Sequence, residues 1–186
     1  KVRRFNKEPI ALRAGMPTKT VTATFRIKED AFKDLQNDAK KQNISVNTLV
    51  NQIFLGYSHY DRLMKRFQIM KLPASVFKTI LDGSTDEAVV AAAKSAGESI
   101  SKTFVISKFG SYTLENVLEG FRTSASHINV FDYSEFLAPG KITITLTHNL
   151  GRKGTLFLKE WMQGQFALLQ KTPKFMTDDA SITFEL

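Results

Sequence analysis

Between Thr20 and Ile27 apolar and polar positions alternate. Val21, Ala23, Phe25 and Ile27 fall on one face of an extended chain and Thr22, Thr24 and Arg26 on the other, the period-two pattern of a half-buried strand. The period then lengthens. From Glu29 to Gln42, Phe32, Leu35 and Ala39 mark one helical stripe, with acids at the start (Glu29, Asp30) and lysines at the end (Lys40, Lys41), which complements a helix dipole. Asn43 can close that helix in a left-handed turn, and Ser45 is a good N-cap for the next. In the second helix Val46, Val50, Ile53, Tyr57, Tyr60, Met64 and Phe67 step by four and three, so the pattern predicts one long helix to about Arg66, with Gly56 the position where it could break.

Pro73 opens a second region. Ala74 to Leu81 reads as a short helix closed by Gly83, and Ser84-Thr85-Asp86-Glu87 as a capping pattern opening a helix from Glu87 to about Thr103. A further helix is expected from Thr113 through Phe121, ending before the polar stretch Thr123 to Ser126. Ile128, Val130, Tyr133 and Phe136 then suggest a strand, Pro139-Gly140 a turn, and Ile142, Ile144 and Leu146 a second strand paired with it as a hairpin. After a loop at Gly151 to Gly154, Leu156, Phe157, Trp161, Phe166 and Leu169 mark a helix that Pro173 stops, and Lys174 to Met176 and Ser181 to Glu185 read as short strands. There are no internal repeats. The fold class expected is α+β: a strand-helix-helix module followed by a domain with an antiparallel sheet and several helices.

Composition narrows the function. The 186 residues are 42% hydrophobic and 24% charged, enough for a real core, and no apolar run nears the ~18 residues of a membrane span. Cys is absent, which removes disulfides, thiol catalysis and cysteine-ligated metal sites. The net charge of +8 is localised: residues 1–66 hold 14 Lys or Arg against 6 Asp or Glu, and the remaining residues hold 12 of each. Within that first third, residues 1–19 carry six basic residues against Glu8 alone, with Pro9, Gly15 and Pro17 opposing regular structure, and read as a flexible basic arm. A basic segment joined to a neutral one is the electrostatic footprint of a nucleic-acid-binding module fused to something else.

A lone strand and two helices cannot bury their own apolar faces, and the strand has unpaired edges. If two copies of Thr20 to Ile27 pair antiparallel across a two-fold axis, the apolar faces pack onto four helices and Thr22, Thr24 and Arg26 of both copies stand up on one face. Such a ribbon fits the major groove, where Arg can bond guanine and Thr can reach base edges or a thymine methyl. The segment TVTATFRIKEDAFKDLQNDAKKQNISVNTLVNQIFLGY, residues 20–57, resembles a ribbon-helix-helix domain of the Arc and MetJ class of DNA-binding proteins. The resemblance implies that Thr22, Thr24 and Arg26 read bases, while Ser45, Val46 and Asn47 hold a phosphate at the second helix's N-terminus. Lys28 stands where that family often has Pro, and two of the reading positions are Thr rather than Asn or Gln.

In the second region Asn149-Leu150-Gly151-Arg152-Lys153-Gly154 lacks the spacing of a phosphate-binding loop and reads as a surface loop. The element order, the Ala-Gly-rich stretch Ala91 to Gly97 and the ending SITFEL resemble the 4-vinyl reductase-type small-molecule-binding domain over residues 73–186. That family's cysteines are missing here, so the resemblance implies at most a ligand pocket or a dimer surface. His59, His127 and His148 have no ligand-spaced partners; His127 and His148 approach only if their strands pair. No catalytic residue, metal or cofactor is expected.

The reading is a dimeric, sequence-specific DNA-binding protein of the transcriptional regulator (repressor) type. It is expected to be cytoplasmic and nucleoid-associated, with no membrane partner and no enzymatic activity. Its three parts are a basic arm (1–19), a ribbon-helix-helix domain with an extended second helix (20–66) and an α+β sensing or oligomerisation domain (67–186). Its partners are double-stranded DNA, a second copy (or a higher oligomer) and a small-molecule effector on the C-terminal domain. The alternatives are an antitoxin-like interaction module with autoregulatory DNA binding, and a small-molecule receptor on the C-terminal domain.

Overall fold

In a computed structural model of the chain, which describes residues 2–4, 20–67, 69–128 and 130–186, the acid-first, lysine-last segment forms helix α1 (Glu29–Lys41). Asn43 ends it with φ 55°, and the Ile44 N–H reaches back 3.0 Å to the Ala39 carbonyl, the six-to-one bond of a left-handed helix stop. Helix α2 (Val46–Gly56) starts where Ser45 Oγ accepts the Thr48 N–H at 3.0 Å. Helical backbone continues through Gly56 (φ −58°, ψ −48°) into a π-helical turn, Tyr57–Asp61, and then α3 (Arg62–Arg66). Gly56 therefore does not break the helix, and the wider turn is the one departure from the regular helix expected there.

The described residues fall into two compact units, residues 20–62 and residues 2–4 with 63–186. Of the segment expected as a basic arm, Val2–Arg4 forms a short strand, β1, and residues 5–19 lie outside the described residues. In the first unit the strand expected at Thr20 to Ile27 is not formed: these residues have no ladder partner among the described residues. A strand is defined by another strand's N–H and C=O groups, and among the described residues this segment has none to pair with.

The second unit is α+β. Its sheet has the order β1-β2-β3-β5-β4, all antiparallel, with β2 (Asp132–Ala138), β3 (Lys141–Thr147), β4 (Phe175–Thr177) and β5 (Ser181–Glu185). Pro139 and Gly140 (φ 72°) join β2 to β3 in a two-residue turn, as their order predicts, because the second turn position needs a positive φ. One sheet face buries Tyr133, Glu135, Ile144, Leu146, Ile182 and Phe184. The other carries a threonine ladder in which Thr145 and Thr183 hydroxyls lie 2.9 Å apart.

Three boundaries differ from the sequence pattern. Helices α4 (Ala74–Gly83) and α5 (Asp86–Ser95) are joined by Ser84 and Thr85, and Thr85 caps α5 by accepting the Ala88 N–H. The α5 backbone runs on through a π-helical turn, Ala96–Ser101, into α6 (Lys102–Phe109), well beyond Thr103. Helix α7 (Leu114–Ile128) takes in the polar stretch Thr123 to Ser126, because Thr123 is fully buried and accepts a bond from Lys108 Nζ at 2.8 Å. Helix α8 (Gly151–Ala167) includes the glycine-basic segment expected as a loop. There Arg152 grips the Asp86 carboxylate with both terminal nitrogens (2.9 and 2.8 Å), and Lys153 Nζ donates to the Asp82 and Ser84 carbonyls. Basic side chains thus tie the first turn of α8 to the α4–α5 connection, which is why the segment is ordered. The core gathers around Phe121, which contacts Trp161 (ring centroids 5.2 Å) and Phe166 (6.0 Å), with Phe184 against Phe166 at 5.3 Å. Among the described residues no helix is long and apolar enough to cross a membrane.

Candidate nucleic-acid interface

Thr22, Thr24 and Arg26 are all solvent-exposed on the segment leading into α1. Between them, Phe25 turns back onto α2, where its ring meets Phe54 edge-on at 5.6 Å. One side of the segment is therefore tied to the helices and the alternate side chains are left in solvent. At the start of α2, Ser45 Oγ takes the Thr48 N–H and the Ser45 carbonyl takes the Leu49 N–H (3.0 Å). Helix geometry gives the N–H groups of Val46 and Asn47 no acceptor within the helix. Ser45 Oγ also bonds Thr48 Oγ1 at 2.8 Å, which fixes the cap, and both Ser45 and Asn47 are exposed. Thr22, Thr24 and Arg26, expected to read bases, thus lie exposed on the segment before α1, and Ser45, Val46 and Asn47, expected to hold a phosphate, lie at the start of α2 with Val46 partly buried.

The first unit is poorly filled. Ala39, Leu49 and Tyr60 are its buried apolar residues, whereas Val21, Phe25, Ile27, Phe32, Ile53, Phe54, Leu55 and Tyr57 are all at least two-fifths exposed. Ile53 and Tyr57, placed on the expected apolar stripe, are open to solvent, whereas Tyr60 of the same stripe is buried and Leu49, outside it, is buried as well. A useful signal was present in the run Ile53-Phe54-Leu55: three consecutive apolar residues cannot share one helix face, so the helix has more apolar surface than one contact can cover.

In the second unit the histidines do not converge. His127 lies on α7, where Nδ1 meets the Thr123 carbonyl and Ser126 Oγ (both 2.8 Å), and not on a strand beside His148. His148 follows β3; its Nδ1 accepts the Leu150 N–H at 3.2 Å and its Nε2 lies 3.1 Å from Thr155 Oγ1, which donates to the Asp178 carbonyl at 2.7 Å. With Nδ1 accepting, Nε2 carries the proton of a neutral ring. The Asp178 carboxylate is itself committed to the Ala180 N–H and the Ser181 hydroxyl, which hold it below its usual range. Among the described residues no group of three or more His, Cys, Asp or Glu could hold a metal ion. Elsewhere, Arg122 on α7 joins Glu135 (2.6 Å) and Glu119 (3.0 Å), and the Tyr133 hydroxyl donates to Glu135 at 2.8 Å, a cluster that pins α7 to β2.

Burial lowers the His148 pKa below that of a free imidazole, with Asp178 partly opposing the shift. The unfolded chain therefore binds the proton more readily, so stability is fully present above about pH 6.5 and falls as pH drops below it towards the folded pKa. Urea denaturation midpoints at pH 7.5 and 5.5 should show this loss, and His148→Gln should flatten it. An unchanged pH slope in that variant would assign the loss to other groups.

Compared with models of protein families, with curated proteins and with solved structures, the chain matches none.

Proposed function

We propose that this chain is a dimeric, sequence-specific DNA-binding protein of the ribbon-helix-helix type, acting as a transcriptional regulator, with its α+β unit serving sensing or oligomerisation. The observation that supports this most is the first unit's mismatch between exposed and buried apolar residues, combined with an unpaired segment whose polar face is Thr22, Thr24 and Arg26. A second copy answers both needs at once. Antiparallel pairing of the two segments satisfies their N–H and C=O groups, covers Phe25, Ile53 and Phe54, and aligns six polar side chains on one ribbon. Arg26 then bonds guanine O6 and N7, the threonines meet base edges or thymine methyls, and the Val46 and Asn47 N–H groups, held by the Ser45 cap, take a backbone phosphate. The excess of Lys and Arg over residues 1–66 supplies the sequence-independent attraction.

The test is DNA binding as a function of salt, on fragments selected from a genomic library. A dimer neutralising about six phosphates gives a slope of log K against log[salt] of roughly −5. On the selected site Arg26→Ala is expected to cost ~1 to 3 kcal/mol while leaving random duplex unaffected. A slope near zero would remove DNA as the partner, and equal losses on both duplexes would make Arg26 a phosphate contact.

A further inference from the structure

Lys28 occupies a position where local stability disfavours a lysine. It is the N-cap of α1: its carbonyl accepts the Phe32 N–H at 3.0 Å while its own backbone is still extended (φ −63°, ψ 144°). A side chain there does best as an acceptor for the free N–H groups of the first turn, the part that Ser45 and Thr85 play for α2 and α5. A lysine has no acceptor, and its charge adds to the positive end of the helix dipole. Its side chain makes no capping bond. The neighbouring acids are engaged elsewhere, Glu29 by Lys33 at 2.6 Å and Asp30 Oδ1 by the Ala31 N–H at 2.8 Å. Lys28 itself is exposed and has no carboxylate partner among the described residues.

That extended backbone also continues the period of the segment before it. Lys28 follows Thr22, Thr24 and Arg26 at every second position, one strand repeat or ~7 Å beyond Arg26. Taking the ribbon-helix-helix reading as its basis, we propose that Lys28 is a phosphate contact at each end of the ribbon, its charge retained in place of a cap. A straight ribbon cannot follow the curving major groove over its whole length, so the ends of its polar face meet the sugar-phosphate wall and not base edges. A compact ammonium on a flexible stem suits a phosphate oxygen there, where the planar guanidinium of Arg26 suits guanine.

The test compares Lys28→Ser and Lys28→Gln with the unaltered full chain, on the selected DNA fragment and on random duplex. Both variants remove the charge, and only serine restores a good cap. Each copy gives up one phosphate, so the slope of log K against log[salt] should become shallower by about 1.8 in either variant. At 0.1 M salt both duplexes should lose affinity by the same factor, on the order of tens. The free Lys28→Ser protein should melt about 2 to 4 °C higher, with Lys28→Gln near the unaltered value. A gain of stability joined to a loss of binding is what a purely structural lysine does not give. An unchanged slope, a loss confined to the selected site, or a lower Tm for Lys28→Ser would overturn the phosphate role. Should the slope be unchanged while Arg26→Ala still loses the selected site, Lys28 alone is removed and the DNA-binding reading stands. If the unaltered chain shows no salt-dependent binding, that reading fails and the role of Lys28 with it.

Discussion

Phe54→Asp is expected to leave the protein monomeric and to abolish its binding to selected DNA, while a single cysteine at Thr24 should cross-link the unaltered dimer. Phe54 is about half exposed in one copy, and the apolar surface around it (Phe25, Ile53, Leu55) is open. In the proposed dimer this surface becomes core, where truncating a phenylalanine costs ~3 kcal/mol or more and burying a carboxylate costs further. Two copies are affected in each dimer. A loss of about 6 kcal/mol weakens dimerisation by roughly 10⁴-fold, which analytical ultracentrifugation at micromolar protein would show as monomer. The position of the two-fold axis follows from side-chain size. Centring the ribbon on Thr24 sets Ala23 opposite the partner's Phe25 and Thr22 opposite the partner's Arg26, small against large on each face; centring it on Phe25 stacks two phenylalanines instead. Because the chain has no cysteine, Thr24→Cys introduces one thiol per copy. Directly opposed residues in an antiparallel pair lie ~4.5 to 5.5 Å apart, within disulfide reach. Efficient oxidation at position 24, with none in a Val21→Cys control, would fix the register. A Phe54→Asp protein that stays dimeric and binds the selected site normally would overturn the dimer.

What the sequence made legible was local. The dipole-matched ends of α1, the left-handed stop at Asn43, the Ser45 cap and the Pro139-Gly140 turn each depend on residues within one turn of each other, and all appear in the structure. The boundaries that differ from the sequence pattern depend on long-range partners. Thr123 looked like the end of a helix because its neighbours are polar, yet Lys108, fifteen residues earlier, gives its hydroxyl a buried partner. The glycine-basic segment looked like a loop because glycine disfavours helices, yet Asp86, sixty-six residues before Arg152, holds it in place. The strand at Thr20 to Ile27 is the opposite case. Its alternation is plain, but the partner it needs is a second copy in the proposed assembly, which no single chain contains. The phosphate-holding and base-reading roles proposed for these residues lean on a family resemblance, since exposed threonine, arginine and a capped helix start have ordinary structural uses as well.

A large stability effect in the α+β unit is expected at Gly97. This glycine sits in the π-helical turn between α5 and α6, where a Cβ would collide with the Trp161 carbonyl oxygen of α8 and come within 3.2 Å of the Trp161 carbonyl carbon and 3.4 Å of Gly164 Cα. All three are backbone atoms, so no side chain can rotate away. Gly164 returns the contact, since its own Cβ would lie 3.2 Å from the Lys94 carbonyl oxygen. The two helices therefore approach through paired glycines, and the Trp161 indole N–H bonds Ser101 Oγ at 2.8 Å beside them. Gly97→Ala must push α8 outward, disturbing that bond and the Phe121–Trp161 contact at the centre of the core. Overpacking costs ~1 to 3 kcal/mol where side chains can adjust, and with only backbone to yield the upper end or beyond applies, a fall in Tm of about 10 °C. Gly83→Ala provides the contrast: that residue lies in the last turn of α4 with nothing within 4 Å of a Cβ. There the methyl restricts the unfolded chain and suits a helix, so Tm should hold or rise by a few degrees. Differential scanning calorimetry of the two variants separates a close helix crossing from a generic preference for glycine. Equal Tm values for Gly97→Ala and Gly83→Ala would mean that α8 does not meet the π-helical turn at that distance.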